Sequence, residues 1–130
     1  MDLSIAEENY IKAVYSLAQK GKVTTNILAQ AMQTKASSAT DMVQRLSEKG
    51  LVDYVKYYGV SLSDEGNRSA LKTIRKHRLW EVFLVDNLEF GWDEVHDIAE
   101  QLEHIQSTKL TENLAHFLGN PMFDPHGDPI

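Results

Sequence analysis

Proline is confined to the end of the chain, at Pro121, Pro125 and Pro129. The 120 residues before it contain nothing that removes a backbone donor or clashes with a preceding helical turn, so they favour helices joined by short connections. Ser4-Ile5-Ala6-Glu7 has the spacing of a capping box, and Tyr10, Val14, Leu17 and Ala18 recur behind it at helical intervals, with Ile11 close by. The pattern predicts a first helix over about 5–19, ended by Lys20-Gly21-Lys22. Thr24 or Thr25 caps a brief second helix with Ile27, Leu28 and Met32 turned inward, and Gln33-Thr34-Lys35 makes a tight turn. A third helix follows over about 36–49, with Ala39, Met42, Val43 and Leu46 as its apolar stripe and Gly50 at the C-cap.

Leu51 to Tyr58 then alternates and is rich in β-branched and aromatic residues, Gly59 turns the chain, and Val60-Ser61-Leu62 returns as the second strand of a hairpin. Ser63-Asp64-Glu65 opens a long helix to about Val85, with Ala70, Ile74, Leu79, Val82 and Phe83 as buried candidates. Asp93 is expected to cap a helix over about 94–105, and Ser107 or Thr108 to start a last one over about 110–118. The tail from Gly119 is irregular.

Three short helices, a tight turn before the third and a hairpin after it give the order of a winged helix-turn-helix. Ser37, Ser38, Asp41, Gln44, Arg45 and Glu48 point outward from the third helix, flanked by Lys35 and Thr40. Small hydroxyl side chains let a backbone approach DNA closely, Gln44 suits adenine and Asp41 suits a cytosine amine. Lys35, Arg45, Lys49 and Lys56 suit phosphates. A solvated face on a protein-binding module would carry similar residues. The order of elements favours DNA, and the modest positive charge of the front half implies weak binding by one copy and stronger binding by a dimer: residues 1–78 hold 12 Lys/Arg against 8 Asp/Glu, whereas residues 79–130 hold 1 against 11. The overall −6 thus hides a basic front half and a strongly acidic back half, which suggests two tasks.

The acidic half contains Asp93-Glu94-Val95-His96-Asp97-Ile98-Ala99-Glu100-Gln101-Leu102-Glu103-His104. On a continuous helix His96, Glu100, Glu103 and His104 fall within an arc of about 100°, apart from the stripe Val95, Ile98, Leu102 and Ile105. His77 and Glu81 form a further pair one turn apart on the preceding helix. A single such pair is commonly a surface ion pair; six candidates on neighbouring helices point to divalent metal. Without cysteine the donors are nitrogen and oxygen, which favours Mn(II) or Fe(II), with Zn(II), Co(II) or Ni(II) able to bind in vitro. His116 and His126 are read as incidental. The absence of cysteine also excludes disulfides, iron–sulfur clusters and a cysteine nucleophile. The same ligands could serve a metal-dependent hydrolase, but the two-histidine helical motif of metalloproteases is absent and no substrate pocket is evident, so an enzyme is not expected. No apolar run approaches a membrane span, and the first residues lack a signal-peptide pattern, so a cytoplasmic protein is expected, with no membrane partner.

Several segments together resemble the iron-dependent diphtheria toxin repressor and manganese transport regulator family. They are Glu8-Asn9-Tyr10-Ile11-Lys12, Lys35-Ala36-Ser37-Ser38-Ala39-Thr40, Gly50-Leu51-Val52, Arg75-Lys76-His77-Arg78-Leu79-Trp80-Glu81, Val95-His96-Asp97, Glu103-His104 and Pro125-His126-Gly127-Asp128-Pro129-Ile130. The resemblance implies a mainly α chain: an N-terminal winged helix-turn-helix with a small β-hairpin wing over 1–72, then a helical metal-binding and dimerisation domain over 73–130. It implies a homodimer that binds double-stranded operator DNA when metal is present and represses genes of metal-ion homeostasis. Trp92, Phe90, Leu110, Leu114, Phe117 and Leu118 supply the apolar surface expected of that dimer.

The resemblance also implies ligand roles. Asn9, Glu100, Glu103 and His104 match one metal site, and His77, Glu81 and His96 match an ancillary one. Asn9 stands where iron-type members have methionine and manganese-type members aspartate. Glu100 replaces the cysteine of iron-type members, which moves the site towards manganese. Lys12 replaces a glutamate of the short manganese regulators, so their paired-metal centre is not expected. Many longer members continue into an SH3-like domain that completes the ancillary site, a domain absent from these 130 residues. Glu103 and His104 are accordingly expected to matter more to activation than His77 and Glu81.

Overall fold

The computed structural model describes residues 3–130. The chain forms two compact units, one ending at Leu71 and the other spanning Lys72–Ile130. The elements are α1 (Ile5–Ala18), α2 (Thr25–Ala31), α3 (Ala36–Glu48), β1 (Val52–Val55), β2 (Gly59–Leu62), α4 (Asp64–Leu88), α5 (His96–Leu102) and α6 (Thr108–Phe117).

In the first unit, α1 begins with the expected capping box: the Glu7 N–H donates to Ser4 Oγ at 3.1 Å and the Ser4 N–H donates to Glu7 Oε1 at 2.9 Å. Such a cap is worth about 1 kcal/mol. The other Glu7 oxygen accepts from Lys49 Nζ, tying the start of α1 to the residue after α3. Burial pushes the Glu7 carboxyl up, but the bonds from Lys49 and Ser4 outweigh it and hold the group below its ordinary range. Thr24 Oγ1 caps α2 by accepting from the Ile27 N–H. Ile11, Val14, Leu28, Val43 and Leu46 are almost wholly buried and form one core with Leu51, Val52, Val60 and Ala70. Ile27, expected inside, is exposed, because seven residues of α2 leave room for only a narrow inner stripe of Leu28 and Ala29. Gly50 adopts φ 75° just past α3, so that the Leu51 N–H reaches the Leu46 carbonyl at 3.0 Å. The strands pair antiparallel, with Val52 opposite Leu62 and Val55 opposite Gly59.

The second unit contains the rest of α4, together with α5, α6 and the chain end. Leu79, Leu114 and Ala115 form its small core, with Trp80, Phe83, Leu118 and Ile130 packed against it. Leu114 is therefore not available as outward surface, and Phe90 is half-buried; the exposed large apolar residues here are Leu88, Trp92, Ile105, Leu110, Phe117, Met122 and Phe123. Ser107 Oγ caps α6 by accepting from the Leu110 N–H. Asp93 does not cap α5. The Glu94 N–H closes a turn on the Gly91 carbonyl at 2.9 Å, and α5 starts only after buried Val95, which makes no side-chain cap. The chain end is folded back on itself: Phe123 pairs with Pro129, the Ile130 N–H donates to the Met122 carbonyl, and Arg78 donates to the Pro129 carbonyl. No helix among the described residues is long and apolar enough to cross a membrane.

Candidate metal centre

The late start of α5 and its end at Leu102 change the face expected for its ligands. Glu103 sits at the C-cap and His104 beyond it. Glu103 is fully buried, whereas His96 and Glu100 are exposed, so these ligands run from the surface into the protein. His96 Nε2 lies 3.7 Å from a Glu100 oxygen. Among the described residues, three groupings place one ligand atom per residue within 4.8 Å of one another: His77, Glu81 and His96; Glu81, Asp124 and His126; and the exposed His96, Asp97 and Glu100.

The helical repeat of α4 brings His77 and Glu81 together, with His77 Nε2 3.3 Å from Glu81 Oε2. The other nitrogen of the same ring, Nδ1, hydrogen-bonds Glu103 Oε1 at 2.7 Å inside the protein. The second Glu103 oxygen lies 3.8 Å from His104 Nε2. His96 reaches the group from α5, its ring 5.0 Å from that of His77. His77, Glu81, Glu103 and His104 thus form a continuous line of imidazoles and carboxylates. Asn9 is half-buried on α1, in the first unit.

Asp124 and His126, which the sequence reading did not select, complete the second grouping. Asp124 Oδ1 accepts from the backbone N–H groups of His126 and Asp128, at 3.0 and 2.8 Å. That turn fixes the carboxylate and leaves Oδ2 beside His126 Nδ1, 3.7 Å away. His126 Nε2 lies 2.6 Å from the Trp92 carbonyl, which can only accept, so Nε2 carries a proton, and in the neutral ring the lone pair is on Nδ1, 3.5 Å from Glu81 Oε2. An imidazole whose far N–H is held by a carbonyl is the usual outer support of a metal-bound histidine.

The acids are tuned apart. Burial, and then the hydrogen bond with Asp124, push the Glu81 carboxyl up. Burial also pushes Asp124 up, but its bonds from Glu81 and the backbone bring it below the ordinary range. Chiefly the bond to Trp92, helped by the two carboxylates, raises His126 against the effect of burial. The donor set of nitrogen and oxygen, buried carboxylates and a fixed histidine tautomer fits a borderline divalent cation. A cation competes with the proton that the raised Glu81 carboxyl holds, so binding should release protons and weaken as pH falls. Calorimetric titration with Mn(II) over a series of pH values checks this; an affinity that does not weaken as pH falls contradicts it.

On the first unit, Lys35, Ser37, Ser38, Asp41, Gln44, Arg45 and Lys56 are exposed and Thr40 is half-buried, while the opposite stripe of α3 is in the core. Lys35 precedes α3 without making a side-chain cap.

Residues 63–130 match the metal binding and dimerisation domain of the iron dependent repressors, and residues 2–60 match the N-terminal DNA binding domain of the same repressors. The iron-dependent repressor IdeR of Mycobacterium leprae is 31% identical over 130 residues, covering 99% of this chain and 56% of that protein. A manganese-dependent transcriptional repressor, solved in complex with manganese, is 45% identical with a TM-score of 0.85, over 95% of this chain and 57% of its own. ScaR with bound Zn2+ is 38% identical with a TM-score of 0.86, over 95% of this chain and 58% of its own. The chain spans a little over half the length of these relatives.

Proposed function

The chain belongs to the iron-dependent repressor family, and we propose that it is a metal-activated repressor that binds double-stranded operator DNA as a homodimer and controls genes of metal-ion homeostasis. The observation that carries this reading is Glu81, a buried carboxylate common to two groupings of histidine and carboxylate ligands, in the part of the chain that matches a metal-binding domain. The matched family is one of repressors rather than enzymes, so the hydrolytic alternative is set aside.

His77, Glu81 and His96 hold one cation, with Asp124 and His126 adding to the Glu81 side. Glu103 and His104, with Glu100, contribute to a second position. Mn(II) is the activating ion, with Fe(II) next; the sulfur-free donor set supports that order, and relatives have been solved with manganese, zinc and cadmium. A bound cation supplies the positive charge that lets these buried carboxylates stay ionised together. The chain's own part is to fix the ligands: the Trp92 carbonyl sets the His126 tautomer, the Asp124 turn sets its carboxylate, and His77 orients Glu103. In the winged-helix unit, Ser37, Ser38, Thr40, Asp41 and Gln44 face bases, and Lys35, Arg45 and Lys56 face phosphates. Two copies joined through the second unit double the phosphate contacts and place two recognition helices on a two-fold symmetric site. The exposed Trp92, Leu110, Phe117, Met122 and Phe123 give that unit apolar area to cover.

The test is a random duplex pool selected for Mn(II)-dependent retention, followed by anisotropy titration of the selected sequence at fixed salt. Affinity should rise by about 5–150-fold on adding Mn(II), the usual range of allosteric coupling, and fall back with a chelator. A chelator without effect contradicts the proposal.

A further inference from the structure

Two of the ligand candidates stand outside the helices, Glu103 at the C-cap of α5 and His104 beyond it, in the turn that opens residues 103–107. A ligand on a turn lacks the fixed backbone that a helix gives its side chains, and a metal position tolerates little displacement of its donors. α5 itself lends weak support: it is seven residues long, has no side-chain cap at its start, and buries only Ala99 among its own residues. What grips the turn comes from α4. His77 Nδ1 hydrogen-bonds Glu103 Oε1 at 2.7 Å, and the residue before it, Lys76, donates from Nζ to the Ile105 carbonyl at 3.3 Å.

Lysine is an unusual choice for that place. Lys76 is 5% exposed, the only buried lysine or arginine among the described residues. Taking an ammonium out of water is costly, and an apolar side chain of the same length commonly fills such a space with no loss of stability. Nor does the charge help to hold a cation, since a positive group bonded one residue beyond His104 repels a metal ion there. What Lys76 adds is geometry. Its bond and that of His77 grip the turn on either side of His104, through the Glu103 side chain before it and the Ile105 carbonyl after it.

We propose that Lys76 is a positioning residue for the metal position to which Glu103 and His104 contribute: its bond to the Ile105 carbonyl holds the turn against α4 so that both side chains reach one ion. This rests on the metal-activated function proposed above, and adds to it a residue that touches no ion itself. It accounts for a lysine buried in a unit whose task is to hold cations.

Charge and geometry give opposite results for Lys76→Met, which keeps the apolar stem of the side chain and removes both the charge and the donor. Loss of a repelling charge alone would tighten Mn(II) binding. Loss of the clamp should weaken it at this position by at least about tenfold, as removing an outer support of a ligand does. Calorimetric titration should therefore show one fewer tightly bound Mn(II) than the parent, while Tm in chelator is no lower than the parent's. His104→Gln removes a ligand of the same position directly. Adding Lys76→Met to it should change the remaining Mn(II) affinity by less than about twofold, because both substitutions act on one position. A smaller loss for Lys76→Met, or a gain, overturns the inference and leaves the proposed function standing. So does a lower Tm in chelator, which would make Lys76 a support of the fold at large, and so does a further loss beyond twofold in the His104→Gln background. If the parent binds no Mn(II), the proposed function fails, and this inference with it.

Discussion

Glu81→Gln should give a chain that folds more stably than the parent in the absence of metal and that has lost most of its affinity for Mn(II). Glu81 is 2% exposed, and its carboxyl is pushed up from an ordinary value of 4.5 by burial and by the hydrogen bond with Asp124. The folded chain therefore binds this proton more tightly than the unfolded chain. Parent stability declines as pH rises from the ordinary value through the raised one, and stays lower above it. Glutamine has the shape of the protonated acid: its amide can donate to Asp124 and its oxygen can accept from His77 Nε2. The stabilisation should thus be full well above the raised pKa and should vanish below pH 4.5. Thermal unfolding in chelator at pH 4 and pH 8 measures it. For metal the substitution removes a ligand from two groupings at once. Outer-shell substitutions alone cost about 10–100-fold in metal affinity, so a loss of at least about 100-fold is expected. The family resemblance ranks Glu81 below Glu103 in activation; its place in two groupings argues that it governs ion binding itself. Unchanged Mn(II) affinity would show that the ions lie elsewhere.

What the sequence revealed and what it concealed divide along the range of the interactions. The capping box at Ser4, the stripe of α3, Gly50 and a hairpin after it are local patterns, and the structure has all of them, except that the chain turns over 56–58 rather than at Gly59, which pairs with Val55 in the hairpin. His77 and Glu81 were equally legible, because one helical turn joins them. Asp124 and His126 were not. Their partner Glu81 lies more than forty residues away, and the turn that aims Asp124 uses backbone N–H groups that leave no residue signature. Asp93 misled because a residue that caps helices also suits turns, and here the turn at Gly91–Glu94 won. Along the face drawn for His96, Glu100, Glu103 and His104, burial was not legible: His96 and Glu100 are exposed, His104 is half-buried, Glu103 is buried, and His77 is the link to Glu103.

Gly66→Ala should be severely destabilising, although the same change in most helices is favourable. Gly66 lies in the first turns of α4, and a Cβ there would come 1.9 Å from the Leu51 carbonyl oxygen and 2.9 Å from the Leu51 carbonyl carbon. Those atoms are backbone and have little freedom to move. The Leu51 N–H is bonded to the Leu46 carbonyl at the end of α3, and the Leu51 carbonyl accepts from the Ser63 N–H. An extra methyl group must push the start of α4 off the corner between α3 and β1. Ordinary overpacking costs about 1–3 kcal/mol, and a clash with fixed backbone should exceed about 3 kcal/mol, enough to lower Tm by about 10 °C. Scanning calorimetry of the two proteins decides it. A rise in Tm, as the better helix propensity of alanine alone would give, contradicts the packing described here.

The central claim is that metal held in the second unit and DNA held by the first stabilise each other. Linkage requires the effect to be reciprocal: if Mn(II) raises operator affinity by some factor, operator must raise Mn(II) affinity by the same factor. The decisive measurement is therefore the Mn(II) dissociation constant of the protein alone and of the protein saturated with the selected duplex, at one pH and one salt concentration. The account predicts tighter Mn(II) binding with DNA present, by the factor found in the anisotropy titrations. An Mn(II) affinity indifferent to DNA would contradict it.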